Sequence, residues 1–267
     1  MMYCNFFEKK QPNKGLKVKP LLNSLLVLLS SFLITACSAD CFKPTGEIVQ
    51  ERRLMADFSE INLYDNLDLV LRPLPSGETP FIEVEAGSKL QSSIKAEVRD
   101  GVLYLRNTAG CNWVRNNNKA RVITVHYPVL KALRHYGFGL ARSQGVLQVT
   151  DLLLIVEGQG DIDLSLVAQN LECRLFERGD IRLRGVCTGL NVATFNHGFL
   201  YAQDLTARHI SAVHEGEGDF HLRATEQLDV QLRPFSIGTI FYYGQPVVTN
   251  FDIAPQTRGR IRAVNPM

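Results

Sequence analysis

Three observations predict an all-β chain whose second half is a stacked β-solenoid. Glycines recur at 139, 160, 179, 198, 218, 238 and 259, always 19 to 21 residues apart. The positions two and four after each glycine, and six before it, are almost wholly apolar. Beyond residue 37, only the short stretch Ser88 to Ala96 carries the three-and-four apolar spacing of a helix.

Glycine alone could recur by chance, so the neighbouring columns decide. Two after each glycine stand Ala141, Ile162, Ile181, Leu200, Phe220, Ile240 and Ile261. Four after stand Ser143, Leu164, Leu183, Ala202, Leu222, Tyr242 and Ala263, and six before stand Leu133, Leu154, Cys173, Val192, Ala212, Leu232 and Ile253. The offset three after the glycine is mixed: Arg142, Asp163, Arg182, Tyr201, His221, Phe241 and Arg262. Side chains alternate across a strand, so even offsets point inward and odd ones outward.

One unit therefore reads as strand, glycine turn, strand, with a return of about five residues. Such a unit cannot bury its own apolar face, so copies must stack, about 4.8 Å apart. The result is a parallel β-helix over residues 131–263. An up-and-down antiparallel sheet would need a hairpin signal at every turn. Glycine suits the corner for one of two reasons: a positive φ, or stacked corners too close for a Cβ.

Upstream, Ile61/Leu63, Leu67/Leu69/Leu71, Ile82/Val84/Ala86, Leu103/Leu105 and Ile123/Val125/Tyr127 alternate in the same way. Pro73 to Gly77 and Asp100-Gly101 divide them as turns. Residues 55–130 are thus an N-terminal β-sheet layer of antiparallel or mixed strands, covering one end of the solenoid or running alongside it. The polar Thr257-Arg258-Gly259-Arg260 and Pro266 read as stops at the other end.

The N-terminus has the charge order of a signal peptide. Lys9, Lys10, Lys14, Lys17 and Lys19 precede an apolar run from Leu21 to Ala36, too short to span a bilayer. Ile34-Thr35-Ala36-Cys37 resembles the bacterial lipobox, which makes residues 1–36 a lipoprotein signal peptide, Cys37 the lipidated residue and 37–54 a tether. The alternative is a plain signal peptide or an uncleaved anchor. Acyl chains at about 0.8 kcal/mol per buried methylene would hold the protein on a membrane. Ser38 after the cysteine favours the outer membrane, so the expected location is the cell envelope.

With 29 basic and 27 acidic residues, no polybasic field exists to attract nucleic acid. Of six cysteines, Cys4 leaves with the signal. Cys41 and Cys111 lie in loop-like sequence and are the expected disulfide pair in an oxidising compartment. Cys173 falls in a core column as an inert thiol, leaving Cys187 free.

The chain resembles the head-GIN domain family of auto-transporter adhesins from about Phe58 to Ala263. The resemblance rests on Phe58-x-x-Ile61 with Leu67-Asp68-Leu69, on Val98 to Leu105, on Val125-His-Tyr-Pro-Val-Leu130, and on Gly158-Gln-Gly-Asp-Ile162 with its variant Gly216 to Phe220. Ile240 to Pro246 closes the pattern. It implies a right-handed β-helix with an N-terminal β-layer, a surface location and no catalytic residues. The first glycine of the pair is replaced by Glu177, Asn196, Ser236 and Thr257, so those corners must be built differently.

Candidate chemistry is sparse. Asp161, Asp180 and Asp219 follow their glycines and are the only calcium candidates, weighed against Asx-turns to their own backbone. Phe199 and Thr239 interrupt that column. His197, His209, His214 and His221 cluster in sequence but are not expected to converge on a metal. The outward column places Tyr201, His221 and Phe241 on consecutive rungs between Arg182 and Arg262, a candidate binding wall for a sugar ring or an apolar partner surface. No rung carries an insertion long enough for a catalytic cleft. The expectation is a non-enzymatic, cofactor-free envelope protein that binds a glycan or protein. Self-assembly is the second reading and a polysaccharide-processing enzyme the third.

Overall fold

Alternating strand sequence and stacked glycine turns produce sixteen strands, one short 3-10 turn and no α-helix in a computed structural model that describes residues 45–110 and 121–264. The expected signal peptide, Cys37, Cys41, Cys111 and Pro266 lie outside those residues. No helix among the described residues is long and apolar enough to cross a membrane.

The N-terminal strands are β1 (Ile48–Leu54), β2 (Glu60–Leu63), β3 (Asp68–Pro73), β4 (Phe81–Gly87), β5 (Ile94–Arg99), β6 (Val102–Asn107), β7 (Arg121–Tyr127) and β8 (Ala132–His135). The long solenoid strands are β9 (Ala141–Val156), β10 (Ile162–Leu175), β11 (Ile181–Thr194), β12 (Leu200–His214) and β13 (Phe220–Leu232). The shorter β14 (Thr239–Tyr243), β15 (Val248–Ile253) and β16 (Arg260–Val264) complete the chain. β1 occupies part of the stretch expected as a tether. Its seven residues pair antiparallel with β4, so ordered structure begins by Ile48.

The solenoid register is the expected one in the column two after each glycine; the column six before holds as far as Ala212, which pairs with Val230 and not with the expected Leu232, because Leu232 pairs with His214. Ile162 aligns with Ala141 and Ile181, Leu200 with Ile181 and Phe220, and Phe220 with Ile240, all in parallel. The return expected between strands is not a loop. Pairing runs through it, and in β10 only Gln169 and Asn170 break the alternation, turning the strand around a corner before Leu171 points inward again. Each level thus has two walls, and the inward residues of both form one continuous core.

The N-terminal layer extends these walls in line. On one wall Leu103 aligns with Ile61, Ile61 with Leu133 and Leu133 with Leu154. On the other, Ile123 aligns with Leu69 and Leu69 with Ala141. These pairings are parallel, and all the residues named are fully buried. Spatial order departs from chain order here, because the β2–β3 level lies between the β6–β7 level and the β8–β9 level. Antiparallel pairing is confined to the far end, where β4 pairs with β1 and β7 and β5 pairs with β6. The buried Gln91 side chain donates there to the Val49 and Val84 carbonyls, while Arg53 donates to the carbonyls of Gln91 and Ile94. Together they tie the two walls across that end.

At the opposite end the last levels are exposed among the described residues. All six residues of β15 are exposed, and Ile253, whose column is buried through the preceding levels, is 52% accessible. The polar Thr257 to Arg260 segment does not cover it.

Candidate binding surfaces and the turn ladder

Close stacking, not backbone strain, explains the turn glycines. None of the seven has a positive φ. A Cβ on Gly160 would lie 2.2 Å from the Gly139 carbonyl oxygen, and one on Gly179 would lie 2.1 Å from that of Gly160. At Gly218 and Gly238 the same contact, to the glycine one level below, would be 2.1 and 2.4 Å. The departing corners are indeed built differently. Buried Ser236 uses its hydroxyl to hydrogen-bond His214 Nδ1 at 2.6 Å, and the Thr257 hydroxyl donates to the Ser236 carbonyl at 3.0 Å.

The aspartates that follow the glycines act between levels. Asp161 Oδ1 accepts the Asp180 N–H at 2.9 Å, Asp180 Oδ1 the Phe199 N–H at 3.0 Å, and Asp219 Oδ1 the Thr239 N–H at 2.6 Å. Asp68, one level before the repeat begins, does the same for Leu140 at 2.8 Å. Each carboxylate therefore satisfies a backbone donor of the next turn, not its own as an Asx-turn would. The Arg182 guanidinium lies 3.6 Å from Asp161 and 3.8 Å from Asp180, neutralising what a cation would need. Burial, and then the neighbouring Asp161, raise the Asp180 carboxyl against the lowering effect of the Phe199 N–H and Arg182. Among the described residues no group of three or more His, Cys, Asp or Glu side chains could hold a metal.

The histidines do not converge. His197 faces Glu217 and Asn196, and His209 faces Glu226. His214 is fully buried, with Nε2 2.7 Å from the Gly218 carbonyl. His135, four residues before Gly139 as His214 is before Gly218, is equally buried, with Nε2 2.6 Å from the Gly139 carbonyl. Burial lowers the pKa of both rings. That shared offset was the sequence signal for His135. Cys173 and Cys187 are both buried free thiols, and burial pushes Cys187 up to about 11.

The proposed wall residues are brought together. Tyr201 and His221 stack with centroids 5.6 Å apart, and His221 and Phe241 at 4.9 Å, both within 15° of parallel. Arg182 lies 4.8 Å over the Tyr201 ring, and Phe199 stacks on Tyr201 at 6.1 Å. Arg262 aligns beside Phe241 on the last level and is exposed. His221 Nδ1 and the Tyr243 hydroxyl share a hydrogen bond of 2.9 Å. The N-terminal layer does not cover this wall, whose rings are half-buried. Because the rings lie against one another, they turn edges and polar tips to solvent, not free faces.

A groove of about 420 Å³ opens on the turn edge, between the levels of Phe195 and Phe235, where sequence length had suggested no cleft. Glu215, Glu217, Ile237 and Arg258 also line it. Its signal was the column three before each glycine, which reads Tyr136, Glu157, Phe176, Phe195, Glu215, Phe235 and Gln256. Within that column Phe176 and Phe195 stack at 5.0 Å, and Tyr136 stacks on Tyr64 at 4.7 Å.

These features define a β-solenoid scaffold whose turn aspartates and buried histidines serve its own backbone, with aromatic side chains on its outer surface. Residues 57–246 match the family described as "Putative auto-transporter adhesin, head GIN domain", and the chain belongs to that family. Its fold is similar to the crystal structure of a putative adhesin from Bacteroides fragilis, at 23% identity and a TM-score of 0.75 over 83% of this chain and 99% of that one. A putative adhesin from Parabacteroides merdae is similar at 18% identity and a TM-score of 0.61, over 85% and 100% of the two chains. A putative lipid binding protein from Parabacteroides distasonis is similar at 19% identity and a TM-score of 0.55, over 81% and 97%. No curated protein matches the chain.

Proposed function

We propose that the protein is a non-enzymatic component of the bacterial cell envelope, held to the outer membrane through lipid on Cys37, whose solenoid surface binds a glycan or protein partner. The observation that carries the binding role is the ordered strip of Tyr201, His221 and Phe241, flanked by Arg182 and partly open to solvent. Stacked rings are already fixed in place, so a partner that packs on them orders little further side-chain freedom. Family membership supports the same reading. The test compares the full chain with a Tyr201→Ala/Phe241→Ala variant on immobilised glycans and extracellular proteins. Binding that the variant loses supports the wall, whereas equal binding by both removes it.

Self-assembly is the second reading, favoured by the exposed end. Val248, Phe251 and Ile253 are 46, 40 and 52% accessible on an edge strand that pairs only with β13 among the described residues.

A further inference from the structure

We propose that the groove between Phe195 and Phe235 is a binding site for one uncharged pyranose ring of a glycan. This inference rests on the reading that the protein binds an external partner, but not on the aromatic wall. On one side, Phe176 covers a single face of Phe195 at 5.0 Å, nearly parallel. The opposite face of Phe195 turns towards the level of Glu215, where the column carries no ring. On the other side, Phe235 rides a tight turn closed by the Ser236 N–H donating to the Arg233 carbonyl at 3.1 Å, and it is 77% accessible. Leu232 aligns with His214 and Gly238 stacks on Gly218, so this level holds two more residues than the one beneath, and the excess carries Phe235 outward.

Two aromatic side chains thus line a groove at the level of Glu215, whose place in the column carries no ring. The levels that carry Phe195 and Phe235 lie two strand spacings, about 9.6 Å, apart along the stack. A sugar ring stacked at about 4.5–5 Å on the uncovered face of Phe195 fits within that separation, with Phe235 beside it. The polar lining agrees. Glu215 and Glu217 oppose an anion and Arg258 opposes a cation, while all three, with Asn196 and Gln256, can hydrogen-bond hydroxyl groups. At about 420 Å³ the groove falls within the roughly 300–1,000 Å³ range of small-ligand clefts. Unlike the wall, it offers a ring face.

Saturation-transfer NMR on the full chain tests this, using methyl β-glucopyranoside, methyl β-galactopyranoside and N-acetylglucosamine, with methylguanidinium and acetate as charged controls. At least one pyranoside is expected to receive saturation on its ring C–H protons at millimolar concentration. Phe235→Ala should weaken that binding about tenfold. Because Phe235 is so exposed, this variant keeps its fold, and thermal melting checks it. Phe195→Ala should act in the same direction, and Val247→Ala, at an exposed residue that does not line the groove, should leave the signal intact. Silence from all three pyranosides, a response confined to a charged control, or a pyranoside signal unchanged in Phe235→Ala would each overturn the site. If the groove is silent while the wall variant loses partner binding, the wider reading stands and the groove proposal falls.

Discussion

The Asp180 carboxylate accepts the backbone N–H of Phe199, 19 residues away, at 3.0 Å. A turn of the solenoid is thereby capped by the turn before it. Replacing Asp180 with Ala leaves that N–H without its acceptor and should lower stability by about 1–3 kcal/mol in urea unfolding. Asp180→Asn keeps an acceptor oxygen and should lose less. Calcium added to the wild type should not raise its melting temperature. A rise of several degrees would show that the aspartates bind metal as well.

The glycine stack predicts a sharp positional contrast. Gly179→Ala drives a Cβ to 2.1 Å from the Gly160 carbonyl and should cost about 3 kcal/mol. Gly189→Ala, whose Cβ meets nothing closer than 3.4 Å, should stay within about 0.5 kcal/mol of wild type. Equal losses would refute close stacking as the reason for glycine at the turns.

His135 and His214 predict how stability varies with pH. Burial is the largest influence on both and lowers their pKa below the ordinary 6.5, against the opposing pull of carbonyl hydrogen bonds and of Asp68 and Asp161 on His135 and Asp219 on His214. Below pH 6.5 the unfolded chain takes up protons that the folded one refuses. Their contribution is therefore complete above 6.5 and is lost as pH falls through the folded values. The urea midpoint should drop between about pH 7.5 and 5.5. A flat profile would mean that the rings are not held neutral.

Thiol labelling should separate the two described cysteines from the rest. Cys173 and Cys187 are buried and protonated at neutral pH, so mass-spectrometric mapping should find them unmodified in the native protein and modified after denaturation. Rapid native labelling of Cys187 would contradict its burial.

Self-association through the exposed end predicts that Ile253→Lys shifts sedimentation towards monomer. A wild type that is monomeric at every concentration would eliminate this route.

The solenoid was readable because the columns two and four after each glycine share one period, while the column six before slips by two residues at Leu232. Leu164, Leu183 and Leu222 occur where the register demands, and all are buried. The aromatic wall was readable for the same reason. Three features were not. Continuity of the N-terminal layer with the solenoid depends on pairings such as Leu69 with Ala141, across some 70 residues, and no local periodicity records it. The role of the aspartates was missed because Asp161 and Asp180 act on the next level, whereas an Asx-turn is judged within one. The groove was missed because two added residues at Pro234-Phe235 fall within ordinary variation of repeat length, yet they place a ring on the surface.

The misordered first levels have a consequence for how the chain can assemble. Residues 60–71 are the first to supply both walls of a level, yet their two neighbours in the stack come from 102–127 and 132–143. The early segment has nothing to zip onto until most of the first half of the chain has been delivered. These first levels therefore close only through non-local pairing, which makes their formation slow relative to that of levels built from neighbouring segments. From β9 to β13 each strand instead pairs with the one before it in sequence, so these levels can form from local contacts without waiting for the first half of the chain.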